Sequence, residues 1–154
     1  MRIPAGGSPY GVAWVYGRRR ARLATVGADG FPHCVPVIYG FDPKRWELYF
    51  MAVADSRKVR NIELTGLAAA AIDDESAMRG VSLSGPAAIA SGQERARIHA
   101  WLVERGVVRA GRDHREQAAI RVEPVRWAEW GLDPAVPTGS ALPADARSAE
   151  GGQG

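Results

Sequence analysis

One stretch limits the possible folds more than any other: residues 22–41, RLATVGADGFPHCVPVIYGF. Two β-prone runs, 23–26 and 33–39, flank Ala28-Asp29-Gly30. An Asp-Gly pair supplies the positive backbone angles that a tight hairpin needs, so the two runs are expected to pair antiparallel. A second turn, Phe41-Asp42-Pro43-Lys44-Arg45, leads into WELYFMAV, which alternates around Trp46, Leu48 and Phe50. The first half of the chain therefore reads as a β-meander.

Further along, residues 55–65 read as a short helix with Asp55 as N-cap and Gly66 as the residue that ends it. The run LAAAAID (67–73) has alanine's helix propensity. It is too short for a helix between Gly66 and the acidic turn DDES, and is read as a buried strand. GVSLSGPAAIA (80–90) is a strand bent at Gly85-Pro86. GQERARIHAWLVERGVV (92–108) is a helix with Ile98, Trp101, Leu102 and Arg105 on one face, and AAIRVEPVRWAEW (118–130) is a single last strand. The expected architecture is mainly β with minor α, a closed or partly closed antiparallel barrel with helices over its openings. Residues 1–19 are expected to be a flexible arm, 20–132 the folded domain and 133–154 a disordered tail.

Composition narrows the function. With 154 residues, 46% hydrophobic and 24% charged, the chain suits one globular domain. Its start does not read as a signal peptide, and the longest apolar run, 67–72, is too short for a bilayer. The lone cysteine, Cys34, excludes an internal disulfide and fits a reducing, cytoplasmic setting; it reads as a small strand residue rather than a nucleophile. His33, His99 and His114 are too scattered for a metal site, and Trp127 and Trp130 read as core or dimer packing. The net charge of +3 is uneven: residues 1–60 hold ten Arg and Lys against four Asp and Glu, the remainder ten against thirteen. A localised anion site follows more naturally than general stickiness.

Its best candidate is Asp55 to Glu63, DSRKVRNIE. Arg57, Lys58 and Arg60 crowd a helix start, where the backbone dipole disfavours cations by about 0.3–1 kcal/mol each. An anion held there would reverse that conflict, because free N–H groups, dipole and side chains would act together. Phosphate suits the set: Ser56 offers a hydroxyl, Arg57 a planar fork and Lys58 a compact charge. A solvated basic helix face is the plainer alternative.

In order and spacing, residues 20–132 resemble the pyridoxamine 5′-phosphate oxidase-like split β-barrel family. The LATV–DG–P hairpin, the aromatic-rich strand, the SRK at a helix start, RGVSLSGPAAIA and RVEPVRWAEWGL carry the likeness. The resemblance implies a split barrel and a homodimer whose two chains build each cofactor groove. It places a flavin-type phosphate at Ser56, Arg57 and Lys58, the ring against Val35, Pro36 and Val37, and Met51 and Ala52 on the opposite wall. The oxidases proper carry an Arg and a Lys on the second strand that grip FMN; by the same register this chain has Val35 and Gly40. PHCVPV and KVRNI look more like the subgroup that uses the deazaflavin coenzyme F-420. Its acidic tail would suit Arg60, with Asn61 beside it, and the run GRRRAR. The implied activity is hydride transfer between that cofactor and a small unsaturated or quinone-like substrate, with no catalytic side chain assigned. The alternatives are an FMN-dependent oxidase-like protein, a non-catalytic flavin- or haem-binding module, or a basic domain holding nucleic acid through GRRRAR. The last lacks the clustered exposed aromatics of a single-strand platform, so neither nucleic acid nor membrane is expected as a partner.

Overall fold

The computed structural model describes residues 3–111 and 117–132. Its elements run α1 (Pro9–Gly17), β1 (Arg20–Val26), β2 (Pro32–Ile38), β3 (Gly40–Asp42), β4 (Glu47–Val53) and α2 (Arg57–Thr65). They continue with β5 (Leu67–Asp74), β6 (Arg79–Ala90), α3 (Gly92–Glu104), β7 (Gln117–Val122) and β8 (Arg126–Trp130).

Every strand pairing is antiparallel, and the strand order is β2-β1-β5-β6-β7-β4-β3 with β8 also on β6. The two ends of that path, β2 and β3, are separated in the chain by Tyr39 alone. A flat sheet cannot join its own opposite edges through one residue, so the sheet must curl. The result is a split barrel, as expected from the sequence. Tyr39 sits at the corner, fully buried. Its hydroxyl donates to the Val15 carbonyl at 2.6 Å, and burial pushes that hydroxyl's pKa well above the ordinary phenol value.

The curl is built around β6, whose two halves serve different neighbours. Residues 80–84 pair with β8, and 87–90 with β7. The expected bend at Gly85-Pro86 lies between these ladders. There Glu123 donates its N–H to the Pro86 carbonyl at 2.9 Å, and Val125 to the Ser84 carbonyl at 3.0 Å. The single last strand read from the sequence is therefore two: Glu123, Pro124 and Val125 interrupt it opposite the bend, since Pro124 has no N–H to give the ladder.

Leu23, Phe41, Leu48, Phe50, Ile72, Leu83 and Ile120 fill the barrel, each under 2% exposed. A second apolar cluster, Tyr49, Ala90, Ile98, Leu102 and Ala119, lies beneath α3 with Met51, Trp101, Val107 and Val108 against it. Trp127 belongs to the main core, 5.4 Å from Trp46, whereas Trp130 is 37% exposed.

Three further expectations are corrected. Residues 9–17 are not part of a flexible arm: they form α1, whose Val12, Trp14 and Val15 are completely buried. Ser8 caps the helix, Pro9 stands at its first turn, and Glu129 accepts from the Ser8 N–H at 2.8 Å. The folded body thus begins before residue 20. Gly40–Asp42 adds a short strand where a turn was expected. Ser56, not Asp55, occupies the N-cap of α2, while Gly66 ends it with a left-handed φ of 66° as expected. The expected tail, 133–154, lies outside the described residues. Among those described, no helix is long and apolar enough to cross a membrane.

Candidate functional site

Helix α2 is amphipathic: Val59, Asn61 and Ile62 are buried, Arg57 and Arg60 are exposed, and Lys58 is half-buried. Asn61 fixes the helix, donating from its amide to the Thr25 hydroxyl at 3.0 Å. No acidic residue occupies the first turn, and Ser56 makes no capping hydrogen bond. Its Oγ is buried and has no partner. A buried hydroxyl left unsatisfied costs about 1–3 kcal/mol. The helix start therefore lacks its usual cap at the place where the cations gather.

A groove of about 460 Å³ opens beside it. One wall is Pro36, Val37 and Ile38 from β2; another is Met51, Ala52 and Val53 from β4; Lys58 stands at its edge. Val107, Val108, Arg109 and Gln117 complete the lining. The structure thus gathers Pro36, Val37, Met51, Ala52 and Lys58 of the residues singled out from sequence. A second depression of about 430 Å³ takes Arg57, Arg60 and Asn61, facing the β1–β2 turn with Asp29 and Phe31. Val35 and Ser56 line neither; Ser56 leads into α2, and Val35 lies opposite Leu23 in the β1–β2 ladder.

Two sequence arguments change. Gly40 is not a cofactor-facing position: it is buried, and a Cβ there would lie 2.6 Å from the Trp101 ring. The glycine is explained by α3 packing, not by loss of a cofactor-binding lysine. The run GRRRAR is also largely committed to the fold. Arg18 stacks 3.7 Å over Trp14, Arg19 donates to the Gly106 carbonyl at 3.0 Å, and Arg22 binds Asp73 at 2.8 Å.

What sequence reading missed is the far side of the groove. Val107 and Val108 follow α3 by way of a left-handed Gly106 (φ 69°), a turn signal that ERGVV does carry. Gln117 reaches the groove because β7 pairs with β4, Gln117 opposite Val53, and nothing local in the sequence predicts that pairing. Nearby, Tyr49 is fully buried; desolvation, reinforced by its hydrogen bond to Glu47, raises its hydroxyl far above the ordinary value. It is held neutral as packing beneath α3.

Another cleft, about 480 Å³, lies elsewhere, among Val26, Pro32, Leu67, Pro86 and Val125. It is mostly hydrocarbon, with Arg126 as its one charged side chain beside the hydroxyls of Thr25, Thr65 and Ser84. The groove beside α2 is the better chemical site.

The family model described as pyridoxamine 5′-phosphate oxidase matches residues 12–131. The chain belongs to that family. A 5a,11a-dehydrotetracycline/5a,11a-dehydrooxytetracycline reductase from Streptomyces rimosus subsp. rimosus is 29% identical over 123 residues, 77% of this chain and 78% of that protein. Among solved structures, an F420 reductase matches with a TM-score of 0.63 at 21% identity, over 79% of this chain and 98% of that one. HutZ, the heme storage protein of Vibrio cholerae, matches with a TM-score of 0.66 at 18% identity, over 86% and 97%. These structural matches show a shared fold; the family and the reductase relate the chain to oxidoreductases.

Proposed function

We propose that this family member is an oxidoreductase using a phosphate-bearing flavin-type cofactor, the deazaflavin coenzyme F-420 in preference to FMN, to reduce or oxidise a small conjugated substrate. The observation that carries the reading is the partnerless Ser56 Oγ at a helix start crowded with cations, one of which, Lys58, lines an apolar groove. A phosphate at that point would accept from the Ser56 hydroxyl and the free N–H groups of α2, with Lys58 and Arg57 supplying charge.

The ring would lie between β2 and β4. Val37, Met51 and Ala52 would set its plane and exclude water, and the depression bearing Arg57 and Arg60 would receive an acidic extension. When bound, the cofactor supplies the hydride chemistry. The residues of this chain supply position, charge compensation and a dry wall. The test is titration of the purified protein with each cofactor, followed by visible absorbance: deazaflavin uptake by a colourless protein supports the reading, and a dialysis-stable yellow flavin favours the FMN alternative. A Soret band points to haem and contradicts both.

A homodimer completes the proposal. The apolar cleft presents Val26, Leu67 and Val125 at 43%, 59% and 53% exposure. A second copy is the proposed cover, because contiguous exposed hydrocarbon of this kind marks association sites. Leu67→Glu is expected to weaken the dimer by at least about tenfold, by analogy with a charge buried at an interface, as read by sedimentation across a concentration series. An unchanged dimer would place the contact on another face.

A further inference from the structure

We propose that Arg109 determines substrate choice: it binds an anionic oxygen of a flat, apolar substrate held in the groove between β2 and β4. The inference rests on the reading of that groove as the cofactor and substrate site.

Arg109 is in a place to do this because the turn before it is well held. After α3, Arg105 donates its N–H to the Trp101 carbonyl at 3.0 Å and Gly106 to Val103 at 2.9 Å. Val107 and Val108 donate to the Leu102 carbonyl at 2.9 and 3.3 Å. Arg19 ties the Gly106 carbonyl from outside at 3.0 Å. Val107 and Val108 then pack against the cluster beneath α3, alongside Met51. Arg109 leaves a seated segment, and it lines the same groove as Lys58.

Its chemistry is distinct from that of the groove around it. Pro36, Val37, Ile38, Met51, Ala52, Val53, Val107 and Val108 present hydrocarbon, and the cations in the lining are Lys58 and Arg109. Lys58 adjoins the start of α2, where the phosphate is placed. Arg109 comes from a different element, and among the described residues it has no hydrogen-bond or ion-pair partner. A guanidinium on an apolar wall selects ligands with an apolar body and one anionic edge, and its fork suits a carboxylate or enolate better than an ammonium would. In the reductive direction, hydride supplied by the reduced flavin-type cofactor, which is thereby oxidised by two electrons, would add to the electron-poor carbon of a conjugated C=C–C=O. The π electrons then move to the carbonyl oxygen as an enolate, and water supplies the proton that completes reduction. Arg109 would stabilise that oxygen as charge develops.

The experiment uses two probes of matched shape, 2-naphthoate and neutral 2-naphthamide, titrated calorimetrically into full-length wild type, Arg109→Gln and Arg109→Lys. Cofactor titrations are run in parallel on the same proteins. Wild type is expected to prefer the naphthoate. Arg109→Gln should weaken naphthoate binding about five- to tenfold, the size expected of a partly exposed charged contact, and leave the amide unchanged. Arg109→Lys should restore part of the preference. Cofactor affinity should be the same in all three.

Equal naphthoate binding in wild type and Arg109→Gln overturns the proposal, as does failure of either probe to bind. Loss of cofactor affinity in Arg109→Gln also overturns it, by assigning Arg109 to the cofactor. If no flavin or deazaflavin binds the wild type, the cofactor reading fails separately, while the acid–amide comparison still reports on Arg109.

Discussion

Lys58→Ala is expected to weaken binding of a phosphate-bearing flavin or deazaflavin by about 1.5–3 kcal/mol, the worth of a hydrogen bond to a charged group. Melting temperature should hold or rise slightly. The residue stands in the first turn of α2 with no acidic neighbour there, where a cation costs the empty protein about 0.3–1 kcal/mol. Binding and stability should therefore move in opposite directions, which a merely structural lysine would not produce. Paired cofactor titrations and thermal melts of wild type and variant read both. Unchanged affinity for either cofactor would remove the anion from the start of α2.

Gly85→Ala should strongly destabilise the fold. A Cβ at this position would meet the Glu123 carbonyl oxygen at 1.8 Å and the Val125 nitrogen at 3.1 Å. Both are backbone atoms at the break between β7 and β8, where the Glu123 and Val125 N–H groups tie the chain to β6. Neither can swing aside like a side chain, so the cost should reach the upper end of overpacking, about 3 kcal/mol. For a domain of this size that is a fall of about 6–12 °C in melting temperature. A variant melting within a degree of wild type would mean that β6 does not pass so close to Glu123.

The two variants mark where the sequence was readable. The hairpin at Asp29-Gly30, the bend at Gly85-Pro86 and the stop at Gly66 are written in local turn chemistry, and the structure has all three. Helix α1 is different. Its fully buried Val12, Trp14 and Val15 follow a Gly- and Pro-rich opening, and the segment is apolar on several sides, so no periodic face announces it. Ser8-Pro9 was the available start signal. The cap of α2 was misplaced by one residue because Asp55 and Ser56 are both good N-cap types.

Within the site, residues adjacent in sequence were the ones that could be found. Pro36 and Val37 share a strand, and Met51 and Ala52 share another; that they face one groove follows from the curl that brings β2 and β4 together. Arg109 and Gln117 enter only through tertiary structure: the turn after α3 and the β4–β7 ladder. Conversely, the arginine run at 18–22 seemed free in the sequence and is mostly spent on Trp14, the Gly106 carbonyl and Asp73. A long cation's availability depends on what packs beneath it.

That reassignment sharpens the cofactor prediction. With Arg18, Arg19 and Arg22 engaged, the acidic extension of a deazaflavin would rely mainly on Arg57 and Arg60 in the depression beside the β1–β2 turn, with Arg20 the one exposed arginine left in the run. These are exposed contacts, so salt should screen them strongly. FMN would have its phosphate contacts at the helix start and no extension to exploit the rest. The decisive measurement is equilibrium titration of the purified wild-type protein with coenzyme F-420 and with FMN, each at low and high ionic strength. The account predicts tighter binding of the deazaflavin, with a preference that shrinks as salt rises; tighter binding of FMN at every ionic strength would contradict it.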